Sequence, residues 1–174
     1  MRKIFERSMA VITCVVLGMG LSGCGALMNV ATAVNEVANS MTVETPGRRM
    51  GVQVQNVELI ENGKQVMIEF LLNNRGQDIG NYWLGKATND PMVAYDNLGT
   101  KANVRIVWGD KNTLATGMIG AGLPGNTPIL IKVFVYNFNP QATHFSQIKF
   151  FGSCDYSCDG ATGAYILKNV PIQK

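Results

Sequence analysis

The feature that most constrains the fold is a strict two-residue alternation in the middle of the chain. Val66, Ile68, Phe70 and Leu72 alternate with Gln65, Met67, Glu69 and Leu71. A strand points successive side chains to opposite faces, so this pattern predicts a strand with one face in a core. Immediately before it, Glu61-Asn62-Gly63-Lys64 carries the Asn-Gly pair of a tight hairpin, whose central residues need positive φ. Upstream, Val52 and Val54 alternate with glutamines. The phase shifts at Asn56 before Val57 and Leu59, which predicts a bulge. Further short apolar runs follow at Tyr82–Leu84, Met92–Tyr95, Val104–Trp108, Pro128–Phe138, Phe145–Phe151 and Tyr165–Val170. Turn residues separate them, and the Gly-, Thr- and Asn-rich stretch 109–126 reads as a long inter-strand loop. About eight strands spaced in this way predict an all-β antiparallel sandwich over residues 48–174. Trp108, in phase with Val104 and Ile106, is expected in its core.

The first 47 residues follow other rules. Arg2, Lys3 and Arg7 precede an apolar run from Met9 to Leu21. That run is shorter than the roughly 20 residues a membrane-spanning helix needs, and residues 1–23 read as a signal peptide. It ends in Leu21-Ser22-Gly23-Cys24, which resembles the lipobox of bacterial lipoproteins. The resemblance implies diacylglycerol on the Cys24 thiol, cleavage before Cys24 and acylation of the new amine, by palmitate or a similar chain. Gly25 stands where an Asp would resemble the inner-membrane retention signal of Gram-negative lipoproteins. The expected location is therefore the cell envelope, and in a two-membrane host the outer membrane, facing the periplasm.

Residues 24–47 form the expected tether. Leu27, Val30, Val34, Val37 and Met41 recur at alternating spacings of 3 and 4, an apolar stripe on a short amphipathic helix over 26–41. So short a helix is marginal alone, so the stripe must bury against the membrane surface, the folded domain or the same helix of a second copy. Thr42–Gly47, with Pro46 and Gly47, reads as a linker. Of the four cysteines, Cys14 leaves with the signal peptide and Cys24 takes lipid. Cys154 and Cys158 remain, and export to an oxidising compartment predicts a disulfide between them.

Several segments carry a second resemblance: Val57-Glu58-Leu59, Ile68-Glu69-Phe70-Leu71-Leu72-Asn73, Ala94-Tyr95-Asp96-Asn97-Leu98-Gly99, and Leu123-Pro124-Gly125 before a long apolar strand. Residues 50–172 resemble the immunoglobulin-like accessory domains of unknown function found on bacterial lipoproteins. The resemblance implies an immunoglobulin-like sandwich with a binding or structural role and no catalytic residues to carry over.

The chemistry-bearing residues are sparse. The net charge of +3 falls to +1 from Cys24 onward, too little for a nucleic-acid binder. Gly120-Ala121-Gly122-Leu123-Pro124-Gly125 fits G-x-G-x-x-G, yet Pro124 and a following strand deny it the helix a dinucleotide site needs. No cofactor is expected. His144, the single histidine, lies two residues from Ser146 with no carboxylate placed to orient it. Asp155 and Asp159 are weak calcium candidates, ahead of the loop pairs Asp96 with Asn97 and Asp110 with Asn112. Tyr82 and Trp83, after a polar loop, are the candidate recognition aromatics. The expected function is a non-catalytic membrane-anchored lipoprotein binding an envelope protein or a second copy of itself. A glycan- or peptidoglycan-binding module is the alternative, and a hydrolase the third reading.

Overall fold

A computed structural model of the chain describes residues 41–87, 89–109, 117–155 and 158–172. The signal peptide, Cys24 and the stripe residues Leu27, Val30, Val34 and Val37 lie outside the described residues.

Ten strands make up the described chain: β1 (Thr42–Glu44), β2 (Met50–Ile60), β3 (Gln65–Asn74), β4 (Ile79–Gly85), β5 (Val93–Asp96), β6 (Lys101–Trp108), β7 (Met118–Leu123), β8 (Ile129–Tyr136), β9 (His144–Cys154) and β10 (Gly163–Pro171). All strand pairs are antiparallel, in the order β1-β10-β9-β5-β6-β8-β3-β2, with β4 paired to both β9 and β7. The sheet curls almost into a barrel. One wall is β2, β3, β8 and β6. The other is β1, β10, β9, β4 and β7, and β5 joins the two by pairing with both β9 and β6.

The alternation around residue 68 is the spine of this structure. On β3, Val66, Ile68, Phe70 and Leu72 are fully buried, while the residues between them face outward. They meet Ile131, Val133 and Val135 of β8 and the rings of Phe145, Phe150 and Tyr165 from the opposite wall in one continuous core. Phe150 lies between Phe70 and Tyr165, 5.9 Å and 5.2 Å from their ring centroids, both near parallel. The turn between β2 and β3 takes positive φ at Asn62 and Gly63, as its sequence requires, and at Glu61 as well. The bulge falls between Val54 and Asn56. Trp108 is in the core.

Two segments differ from their sequence reading. Thr42–Glu44, expected as linker, is strand β1, which pairs Thr42 with Lys168 and Glu44 with Ile166. Met41, expected to end a helical stripe, packs against the core just before it. An edge of β10 with unpaired backbone groups captures this segment, and Val43 supplies the apolar contact. Likewise, the G-x-G-x-x-G stretch is no free loop: Met118–Leu123 is β7, paired to β4. Its glycines admit a large neighbour, since a Cβ on Gly120 would stand 2.3 Å from Cδ1 of Trp83. Ile119 and Leu123 anchor the strand inward.

The two ends of the barrel are distinct. At one end lie the turn 97–100, the β8–β9 connection and Ile172. At the other lie the β1–β2 link, the loop 75–78, Pro124-Gly125 and the β9–β10 connection. β1 runs toward the second end, so the chain enters well short of it. Five register positions separate Lys168, opposite Thr42, from Gly163, about 17 Å at strand rise.

Candidate functional site

The sequence-derived candidates are scattered by the fold. Tyr82 and Trp83 are neighbours on β4 and therefore point to opposite faces. Tyr82 is fully buried, which removes it from any surface patch. Its phase matches the buried Leu84, and the absent side chain of Gly152 makes its space: a Cβ there would stand 2.0 Å from the Tyr82 hydroxyl. That hydroxyl donates to the Ala161 carbonyl at 2.6 Å and meets the Tyr165 hydroxyl at 2.7 Å. With its proton on Ala161, Tyr82 accepts from Tyr165. Burial pushes the Tyr82 phenol up to about 12, partly offset by the hydrogen bond from Tyr165, and burial raises Tyr165 as well. Both are neutral ties between β4 and the β9–β10 connection. Trp83 is half-buried on the outer side over Gly120.

Ser146 donates to the Asp96 carbonyl at 3.2 Å, and His144 Nδ1 lies 3.1 Å from the Thr143 hydroxyl, so the fold does not join them as a nucleophile–base pair. Asp96, a loop carboxylate in the sequence, is 2% exposed. Its Oδ1 accepts from the backbone of Leu98 at 2.9 Å and Thr100 at 2.8 Å, and its Oδ2 from Asn139 at 2.9 Å. Burial alone would raise its pKa. The three backbone N–H groups outweigh that and hold the carboxyl below its ordinary value. Asn97 Oδ1 accepts from Thr143 at 2.9 Å, completing a clamp over this end.

The opposite end is organised around Asn74, which is fully buried. Its Oδ1 accepts from Arg49 Nε at 2.8 Å and from the Gly76 backbone at 3.0 Å. Its Nδ2 donates to the carbonyls of Gln77 at 2.7 Å and Leu123 at 3.4 Å. One amide thus joins the β1–β2 link, the 75–78 loop and the end of β7. Backbone bonds repeat the join, from Arg75 to the Arg49 carbonyl at 2.8 Å and from Asn126 to the Asn74 carbonyl at 2.7 Å. The Asp78 Oδ1 accepts from the Gly125 backbone at 2.7 Å. The approach is close enough that a Cβ on Gly125 would stand 2.2 Å from the Gly76 carbonyl oxygen.

Between these loops and the β9–β10 connection lies an open cleft of about 490 Å³, lined by Arg49, Asp78, Asn81, Asp155 and the two cysteines among others. Cys154 and Cys158 form a disulfide, closing the connection into a small ring at the cleft wall. Asn81 Nδ2 donates to Asp155 Oδ2 at 2.8 Å across the rim. Arg49 also donates through a terminal nitrogen to the Gln77 carbonyl at 2.6 Å. Both its partners are uncharged, and among the described residues no carboxylate pairs with it. Asp155 belongs to this cleft, and no group of three His, Cys, Asp or Glu able to hold a metal occurs among the described residues.

Sequence reasoning found the disulfide and missed Arg49, Asn74, Asp78 and Asn81. Their hydrogen bonds span separations such as the 25 residues from Arg49 to Asn74, for which local pattern carries no signal. No protein-family model matches this sequence, and comparison with curated proteins and with solved structures returns no significant match.

Proposed function

We propose that this chain is a non-catalytic lipoprotein of the bacterial cell envelope, anchored through acyl chains on Cys24, whose immunoglobulin-like sandwich is a binding module. The sequence supports the anchor through the basic start, the short apolar run and Leu21-Ser22-Gly23-Cys24. In a two-membrane host, Gly25 favours the outer membrane with the domain in the periplasm. Two curled antiparallel walls around one core support the sandwich. The observation that carries the binding role is the placement of the cleft. The first strand starts at Thr42, opposite Lys168, and runs toward the cleft, so the cleft lies at the end of the barrel away from that starting point and open to a ligand. With Tyr82 buried, Trp83 on the outer side is the one aromatic of the two left for glycan stacking.

Replacing Cys24→Ser in the full chain tests the anchor. Wild-type protein is expected in the membrane fraction with a mass increment of a diacylglyceryl group plus one acyl chain on the peptide beginning at Cys24. The variant is expected unacylated and uncleaved at that site. Equal acylation of both forms contradicts the reading. Cross-linking in intact cells then distinguishes an envelope partner from a second copy: cross-links from 26–40 to the same segment favour self-assembly, and cross-links from the cleft rim to another protein favour capture.

A further inference from the structure

We infer that the disulfide-end cleft is a binding site for a small zwitterion, a short peptide with free termini, which places its carboxylate on Arg49 and its ammonium on Asp155. The volume of about 490 Å³ lies inside the range of small-ligand sites, roughly 300–1,000 Å³. The charges are opposite, and no ion pair joins them. Arg49 is fixed by Asn74 and Gln77, and Asp155 by Asn81. Gly160, just past the disulfide, lies beside the Arg49 side chain, which sets the end of the β9–β10 connection against Arg49. Neither charge is quenched by the other. A guanidinium offers a fork of N–H donors shaped for a carboxylate, and the Arg49 contacts engage Nε and one terminal nitrogen, leaving the rest of the fork. Asp155 engages Oδ2, leaving Oδ1 as an acceptor for an ammonium.

Asp78 adds a second carboxylate to the lining, so the cleft holds two negative charges against one positive. That balance disfavours phosphate or any other simple anion and favours a ligand that brings a cation as well as a carboxylate. The loops are already tied to one another, so little ordering opposes binding.

The test uses the full chain in detergent micelles, titrated with triglycine by calorimetry, with amide exchange read over Gly76–Asn81 and Cys158–Thr162. Triglycine is expected to bind and to slow exchange in both segments. N-acetyl-triglycine and triglycine amide are each expected to bind at least about tenfold more weakly, the loss of one charge-assisted contact. Asp155→Asn, whose amide oxygen still accepts from Asn81, is expected to weaken triglycine as acetylation does, with an unchanged melting temperature. Absence of binding at millimolar triglycine overturns the inference. So does equal binding of the free and end-blocked peptides, or an Asp155→Asn protein that binds like wild type. None of these results bears on whether Cys24 is acylated, so the anchor stands or falls separately.

Discussion

The two ends of the barrel solve the same problem with different side chains. Each gathers loops from distant parts of the chain onto one buried polar group, Asp96 at one end and Asn74 at the other. Asp96 is an anion whose oxygens take three backbone N–H groups, so its charge is satisfied inside its own clamp. Asn74 is neutral and holds the Arg49 guanidinium without cancelling it. A closed end and a charged, open end result from one difference in side-chain chemistry. A buried charge that organises loops is silent toward ligands, whereas a buried amide that organises loops can display a charge that belongs to its neighbour.

Removing the clamp gives the largest expected effect. Asp96→Ala leaves three part-buried backbone donors without their acceptor, each costing about 1 kcal/mol. A loss of about 3 kcal/mol is expected in urea unfolding at neutral pH. Asp96→Asn retains one acceptor oxygen and is expected to lose less. Because the folded carboxyl has its pKa lowered, its contribution is present above the ordinary carboxylate pKa and is lost as pH falls through the folded value. The wild type is therefore expected to lose more stability than Asp96→Asn between neutral and acid pH. Parallel pH curves for the two proteins would break the account of this end.

Asn74→Ala is expected to cost about 2–3 kcal/mol, from four hydrogen bonds of which one is long. Its distinguishing mark is local. Amide exchange should accelerate over Gly76–Asn81 and at Gly125 and Asn126, while the Asp96 turn keeps its protection. Equal acceleration at both ends would mean that the barrel transmits the loss and that the ends are not independent. Replacing both Cys154 and Cys158 by Ser is the next smaller step, about 2 kcal/mol on the chain-entropy account. Its exchange effect should again be confined to the cleft end.

The sequence made some of this legible and some not, for physical reasons. β3 was readable because one buried face imposes a strict period of two on neighbouring residues, and the Asn-Gly turn because positive φ restricts composition locally. The disulfide was readable from two close cysteines and an expected export signal. Tyr82 was misread because its burial depends on the missing side chain of Gly152, 70 residues away. β7 looked like a loop because glycine lowers strand propensity, and only the Trp83 ring across the pair shows why glycine belongs there. The cleft was invisible for a related reason. Arg49, Asn74, Asp78 and Asp155 lie far apart in the chain until the fold joins the strand end and loops that carry them.

The smallest expected effect lies midway between the ends and serves as their control. Glu69 and Lys132 face each other across β3 and β8, with 2.8 Å between them on the outer surface. The hydrogen bond from Lys132 lowers the Glu69 pKa more than partial burial raises it. Its contribution is thus present above the ordinary carboxylate pKa and lost as pH falls through the lowered one, the same direction as for Asp96. The magnitude differs, because both side chains remain in contact with water and their attraction is screened. Glu69→Gln is expected to cost about 0.5 kcal/mol, and the cost should shrink in high salt. The Asp96 contribution rests on short-range backbone hydrogen bonds to a buried carboxylate and should persist there. Comparing the two variants at low and high ionic strength therefore separates a surface ion pair from a buried clamp. If Asp96→Asn lost its effect in salt as Glu69→Gln does, the clamp would be acting as a screened surface charge, and the contrast between a closed and an open end would fail.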